Sequence, residues 1–554
     1  MNKKGYVLIY AIGVIALLML LAATLSSITL SRSTIAKNQR NFILATMNGR
    51  TKVEAAASDL AEYFTALNNL APEEKRYLND ITMITDIENK FATISENYDV
   101  LITPLEKERY SFSYLIEYQD DYVTAQKTIY LSMMPSFLFF ALGSNTDINL
   151  NGGAYIDGNV YVNNNLYLAN TANYIQYNDR LSINTAFSTL SPNSTIFFSD
   201  NNNILACISE HANCFIVEDN NFIKNSFYVE DINVVFENQT PITRKYPNNF
   251  LTVEFNDAFL YYIEEIITTD NINNYGELNI DNITDIITRM RIDDIIDEYD
   301  YASMTKSTLI DENCVITNDN TANPQGWKVI KGAINFPNQE MDNQPWIIVD
   351  GDLEIRNYNN NDVLNINANF LVNGDVSITG YVTLNSTIYA LGEGIIQNAS
   401  INVNSTSDEQ LVLLTREKIK FSQINEFVDA DSITEDDNKQ ITIQPTIKGY
   451  FYTDSVVEIY TINSYLTIEG SIFSNNRDNQ FITNSDAKGM LINSYQGDVN
   501  ENDDGSFNFN PTYSFKNNRF AIKHSTKILS EQPKGLPLTK QFNFLFEKTK
   551  IKRS

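Results

Sequence analysis

Histidine is nearly missing from this 554-residue chain: there are two, His211 and His524. Histidine is the side chain most often used to move protons near neutral pH, so general acid–base catalysis has little material here. The sequence contains no glycine-rich phosphate loop, no nucleophile elbow and no HExxH zinc motif. Positive charge is short as well. The 40 Lys and Arg face 69 Asp and Glu, for a net charge of −29 and a pI of about 4.4. That balance argues against a nucleic-acid or anionic-membrane surface. Aromatics, in contrast, are abundant (31 Tyr, 31 Phe), so the acidity does not mark a disordered tail. The length alone accommodates roughly two to four domains with ample core.

Cysteine is rare, and two of the three sit together. Cys207, His211 and Cys214 form the one cluster of soft ligands. They read as three zinc ligands with Cys314 in reach as a fourth, as a Cys207–Cys214 disulfide closing a short hairpin, or as free thiols. Asn500, Asn502 and Asp504, followed by Gly505, begin like a calcium loop, but the twelfth position is Pro511 rather than a glutamate. The acidic group Asp429, Asp431, Glu435, Asp436 and Asp437 has no recognised spacing. Solvated acidic loops are the simpler reading of both, so neither a metal nor a cofactor is expected.

What the chain does have is one long apolar run. From Tyr6 to Leu30 it is free of charge, which exceeds the ~20 residues that cross a bilayer as a helix and the ~7–15 of a signal-peptide core. A retained transmembrane helix is therefore expected over a cleaved signal. Lys3 and Lys4 precede the run while Arg32, Lys37 and Arg40 follow it, so basic residues do not set an orientation. Helical character continues to about Phe64, without proline and with one glycine, Gly49. Ile35, Phe42, Leu44, Met47, Val53, Ala57, Leu60 and Phe64 recur at intervals near three and four, among charged residues. One helix of about 60 residues, ~90 Å at ~1.5 Å per residue, is expected.

The second strong signal is a repeat. Ile148/Leu150, Ala154/Ile156, Val160/Val162 and Leu166/Leu168 are apolar pairs, each starting six residues after the last. The beat returns at Leu364/Ile366, Phe370/Val372, Val376/Ile378, Val382/Leu384 and Ile388/Ala390. A three-residue strand points its first and third side chains to one face, and Asn, Gly or Asp then turns the chain. Stacked coils bury a core that no single repeat could bury alone, which is a β-solenoid. A β-sandwich would space its strands by ~8–12 residues. Between the blocks, Asn256–Glu265 and Asp281–Tyr299 have helical spacing and read as an insertion.

Lys3-Lys4-Gly5-Tyr6-Val7-Leu8-Ile9-Tyr10, followed by the apolar helix, resembles the class III signal of type IV pilin-like proteins. The stretch Pro135-Ser136-Phe137-Leu138-Phe139-Phe140-Ala141-Leu142, followed by Leu150-Asn151-Gly152, resembles the body of PilX-type pilus assembly proteins. The resemblance implies cleavage by a prepilin peptidase after Gly5, behind a leader carrying Lys3 and Lys4, and N-methylation of Tyr6. It implies other pilin subunits and the membrane as partners of the helix. The location would be a single-pass membrane protein before assembly and the extracellular cell surface after it. Tyr10 stands where most pilins have a glutamate, which fits a minor subunit. The head would display a surface for assembly priming or for adhesion, with a carbohydrate or other surface ligand as a partner.

The expected fold is thus mainly β, with an N-terminal long α-helix and a β-solenoid head. The expected segments are a leader at 1–5, a transmembrane and stalk helix at 6–66 and a small β connector at 67–134. Solenoid follows at 135–250, a helical insertion at 251–305, more solenoid at 306–480, and an acidic loop with a cap at 481–554. No catalytic residue is expected. The rival reading is a membrane-anchored β-helix lyase or glycosidase, which needs paired carboxylates or calcium on neighbouring coils. Hexapeptide-repeat acyltransferases share the beat but use a histidine base, and neither histidine lies in a repeat block. A bactofilin-like polymer would not carry a long stalk helix.

Overall fold

A computed structural model describes residues 3–70, 81–107, 111–176, 179–192, 194–199, 204–218, 221–229, 235, 241–246, 250–266, 279–292, 307–319, 324–335, 346–403, 409–423, 433–435, 441–443, 446–476, 488–502, 507–512, 514–533, 535–537, 539 and 541–553. The chain divides into two compact units, Met1–Met133 with Lys540–Ser554, and Met134–Thr539.

In the first unit a single helix, α1, runs over Lys3–Asn68. Its 66 residues span about 99 Å at ~1.5 Å per residue. Val53, Ala56, Ala57, Leu60 and Phe64 are buried, a stripe at helical spacing. The stripe packs on an antiparallel sheet of Leu101–Lys107, Ser111–Gln119 and Val123–Ser132. Gly49 is the point of closest approach. A Cβ there would lie 2.8 Å from the Tyr118 ring and 3.2 Å from the Ala125 methyl. The stripe is shorter than its sequence pattern, because Ile35, Leu44 and Met47 are exposed. They lie off the line through Ala45, Gly49, Val53 and Ala56 that faces the sheet.

The region expected as a small β connector also contains a helix, α2, over Ile81–Tyr98. Met83, Ile87, Phe91 and Ile94 supply its buried face, and the Phe91 ring meets Tyr114 at 4.5 Å and Phe64 at 6.5 Å. The C-terminal segment differs from the expected loop and cap too. Asn543–Phe546 and Lys550–Arg553 both pair antiparallel with Val123–Ser132 and complete this sheet. Alternation in Asn543-Phe544-Leu545-Phe546 puts Phe544 against the core, where it meets Phe64 at 5.8 Å.

The second unit is a β-solenoid whose strands form one 28-stranded sheet among the described residues. Apart from one antiparallel pair, its pairings are parallel, as coils stacked in register must be. Every apolar pair of the six-residue beat is buried in a single core. Three such strands close a coil, so the regular coils repeat every 18 residues. Asn385 Nδ2 donates to Asn367 Oδ1 and the Thr387 amide to Asn369 Oδ1, each 18 residues back.

The order of coils is not the order of the chain. Leu142–Ser144, Asp147–Gly152 and Ala154–Asp157 form the first coil, and the chain then stacks outward through Val160–Val162 and Thr195–Phe198 to Ile242–Lys245. After the helical insertion it restarts at the far end, at Thr308–Ile310 and Cys314–Thr317, and builds back. The last coil is the second half of Leu466–Ser474, with Gly489–Ser494 and Phe520–His524. Those three segments lie parallel to the three strands of the first coil. The two expected blocks are therefore one solenoid, entered at its middle and sealed there. The expected boundary at 480 moves to His524, because the last two strands of the closing coil lie beyond it. Asparagines cross the seam, with Asn145 Nδ2 donating to Asn475 Oδ1 at 2.6 Å and Asn151 Nδ2 to Asn493 Oδ1 at 3.1 Å.

One lateral face of the solenoid is buried on its outer side as well. A row in register reads Ile348, Leu371, Tyr389, Leu414, Tyr452, Phe473, Gly143, Tyr161, Phe197. The first inserted helix, α3 (Phe255–Ile266), covers one part of it through Phe255, Phe259 and Tyr262. The second, α4, spans Ile283–Ile292; the remainder of the expected 251–305 insertion beyond it lies outside the described residues. Phe250 covers another part, stacking on Tyr161 at 4.1 Å and Phe473 at 5.2 Å. The buried tyrosines reach the covering backbone, Tyr389 donating to the Gly535 carbonyl at 2.8 Å and Tyr262 to that of Leu536 at 2.9 Å.

Gly143 is the small step in that row. A Cβ there would stand 2.5 Å from the Phe473 ring, across the seam. Gly143→Val is expected to force the seam strands apart and lower the stability of this unit by about 1–3 kcal/mol. Both tryptophans, Trp327 and Trp346, lie in this unit, so denaturant unfolding followed by tryptophan fluorescence measures the shift.

Candidate functional site

Three places carry the residues singled out from the sequence, and a fourth was not anticipated. The first is the N-terminal part of α1. Its backbone is helical from Lys3, through Gly5 and Tyr6. From Leu8 to Leu30 the large apolar side chains have no cover at all, being 49–74% exposed. By length and composition this is a helix able to cross a membrane. Farther along, Asn41 and Asn48 donate to the hydroxyls of Tyr122 and Tyr118, each at 3.1 Å, and from there the helix is held by the sheet. Lys127 and Thr549 both donate to the Glu54 carboxylate, at 2.7 and 2.5 Å, and hold its pKa below the usual glutamate value. The same helix is thus sealed at one end and bare at the other.

The second place is the cysteine cluster. Cys207 and Cys214 form a disulfide with a Cα–Cα distance of 5.5 Å. A disulfide sulfur is not a thiolate, so the zinc reading of Cys207, His211 and Cys214 fails. His211 is exposed. Cys314 lies in Cys314–Thr317, toward the opposite end of the stack, where burial pushes its thiol up to about 12. The other histidine, His524, ends a seam strand. Its Nε2 lies 2.9 Å from the Leu138 carbonyl, and burial holds its pKa below the usual histidine value.

The third place, the start of a calcium loop, is a β-hairpin. Asn500 lies in Gly497–Glu501, opposite Asn508, and Asn502 follows the strand. Asp504 lies outside the described residues, as do Asp429 and Asp431. Among the described residues no group of three or more His, Cys, Asp or Glu is arranged to hold a metal ion.

The fourth is a cleft of about 190 Å³ over another lateral face of the solenoid. Two hairpins that the solenoid throws out form its walls, Thr171–Gln176 with Asp179–Asn184 and Phe215–Glu218 with Asn221–Lys224. Its floor crosses the seam at Asn149, Asn151, Leu491 and Asn493. Asn151, Asn173 and Asn493 are 2–3% exposed. The side-chain Oδ1 of Asn493 accepts from Asn151 Nδ2 and from the Asn173 backbone amide, both at 3.1 Å. Lys224 donates to Asn149 Oδ1 at 2.5 Å, with its ammonium 3.6 Å from the Tyr167 ring centre. The repeat pattern could not show this site, because its walls come from insertions between repeats.

The seam also holds a buried carboxylate. Asp454 accepts from Tyr452 Oη at 2.8 Å and Asn475 Nδ2 at 2.9 Å. Burial is the largest influence and pushes its pKa up to about 6, against the hydrogen bonds from Asn475 and Tyr452. The folded state therefore binds more protons than the unfolded state between about pH 4 and 6. Stability contributed by protonated Asp454 is present below that window and lost as pH rises through it. Asp454→Asn is expected to remove on the order of 3 kcal/mol of this pH dependence, read as a smaller drop in Tm from pH 4 to pH 7 than in the native chain.

A scan against protein-family models finds no match, and a search of curated proteins finds none. Among solved structures, the chain is similar to the competence-associated pilin ComZ from Thermus thermophilus. The identity is 12%, the alignment covers 82% of this chain and 83% of that chain, and the TM-score is 0.26. A superposition that loose carries no argument about fold or function.

Proposed function

We propose that the chain is a pilin-like minor subunit of a type IV pilus or related fibre, acting by assembly and display rather than by catalysis. In this reading Tyr6–Leu30 holds the subunit in the membrane before assembly and packs among the helices of other subunits afterwards. The prepilin peptidase cuts between Gly5 and Tyr6, and Tyr6 becomes the methylated N-terminus. The Met134–Thr539 unit is then carried on the cell surface, for assembly priming or adhesion.

The observation that carries the reading is the bare apolar length of α1, continuous with a segment sealed onto its own sheet. Burying each exposed Leu or Ile is worth about 1.5–3 kcal/mol, so this surface demands a lipid or helical partner. A plain anchor needs no helix that continues rigidly into a folded unit. Tyr10 is consistent with a minor subunit, since it brings no buried carboxylate that would need a neighbouring subunit's terminal amine. The Cys207–Cys214 disulfide supports an oxidising location for the unit that bears it.

Mass spectrometry of the protein recovered from membranes or fibres tests the processing. The expected mature terminus is N-methylated Tyr6. A terminus near Ser27 would mean a secretory signal and would sink the pilin reading.

A further inference from the structure

The cleft above the seam has the parts of a saccharide site, and we infer that it binds one ring of an acidic oligosaccharide. This concerns the Met134–Thr539 unit by itself and stands whether or not α1 packs into a fibre.

Its floor is the first reason. The oxygens of Asn493 and Asn173 are occupied, by Asn151 Nδ2 and the Asn173 amide in one case and by Ser182 Oγ at 2.8 Å in the other. Their own Nδ2 groups, and Asn151 Oδ1, have no partner among the described residues. These side chains are all but buried and line the cleft. Two amide donors and one amide acceptor on one small floor match the mixed donor and acceptor character of vicinal hydroxyls.

The walls are the second reason. Tyr174, Phe215, Phe222 and Tyr460 line the same space and offer ring faces against which the C–H face of a sugar packs. The volume is below the ~300–1,000 Å³ of pockets that engulf a whole ligand, so it suits one unit of a chain that continues outside.

Charge is the third. Arg180, Lys224 and Lys418 line the cleft with a single carboxylate, Glu458, in a chain whose net charge is −29. Among the described residues Lys418 makes two loose ion pairs, 3.8 Å from Glu393 and 3.9 Å from Glu458. A cationic cleft on a strongly acidic protein favours a carboxylated sugar over a neutral one. Hydrolysis of a glycosidic bond ordinarily uses two carboxylates, so one among the lining residues favours binding.

Calorimetric titration of the full-length protein in detergent, with tetragalacturonate and cellotetraose as probes, tests the assignment. The acidic probe is expected to bind about tenfold or more tightly than the neutral one. Tyr460→Ala, which removes a ring face, and Asn493→Asp, which is isosteric but replaces a donor with a charge, should each weaken it about tenfold or more. Near-UV circular dichroism of both variants is expected to match the native chain, separating lost binding from lost folding. Absence of binding at millimolar probe, or binding unchanged in both folded variants, overturns the proposal. Equal competition by tetraglutamate also overturns it, because the cleft would then read charge on a peptide.

Discussion

Parallel pairing between the first and the last coil is the constraint on which the rest of the second unit depends. A solenoid coil is stable only when stacked against neighbours, because one coil's apolar face is too small to bury itself. Here the strands at Leu142–Ser144, Asp147–Gly152 and Ala154–Asp157 find one neighbour in the next coil and the other some 320 to 370 residues later along the chain. Contacts this remote are slow to form, since the loop they close is long. They also bring the beginning and the end of the unit to adjacent coils, which fits a chain that leaves the other unit at Met133 and returns to it at Lys540.

The seam concentrates polar chemistry as well as pairing. At the closing coil asparagine faces asparagine across the seam, as Asn385 and Asn367 do between two regular coils. Carboxamides can donate and accept at once, so stacked Asn residues satisfy one another along the axis. Two features follow from that arrangement. One is Asp454, whose pKa burial raises against the hydrogen bonds from Asn475 and Tyr452. The other is the cleft floor, where the ladder meets two inserted hairpins and some of its amide capacity is left over.

The first unit solves a different problem, that of giving a long helix two environments. Gly49 lets the sheet approach, cover continues as far as Ala45, and the alanines at 56 and 57 keep the helix close to the sheet. Toward Lys3 the helix has no sheet, and its apolar side chains are left for other partners. The C-terminal strands add to this grip, since Thr549 reaches Glu54 on α1 and Phe542 packs against Phe64.

Sequence pattern by itself determined the local periods. The uncharged run before Arg32 meant one helix, and the six-residue beat from Ile148 to Ala390 meant a solenoid, because both follow from where neighbouring side chains point. The same reading stopped short wherever a strand pairs with something distant. Phe520–His524 and Asn543–Phe546 are too short and isolated to announce their partners, whereas the spacing of Met83, Ile87, Phe91 and Ile94 does carry the helical period of α2. Cys207 and Cys214 were legible as a pair, but bridge, metal and free thiols remained open until their Cα atoms were placed 5.5 Å apart. Only tertiary structure decided that the order of coils departs from the order of the chain, that the stack is sealed at its middle, and that a polar cleft lies over the seal. Those outcomes depend on register between segments hundreds of residues apart, and register is a property of contacts that no local pattern contains.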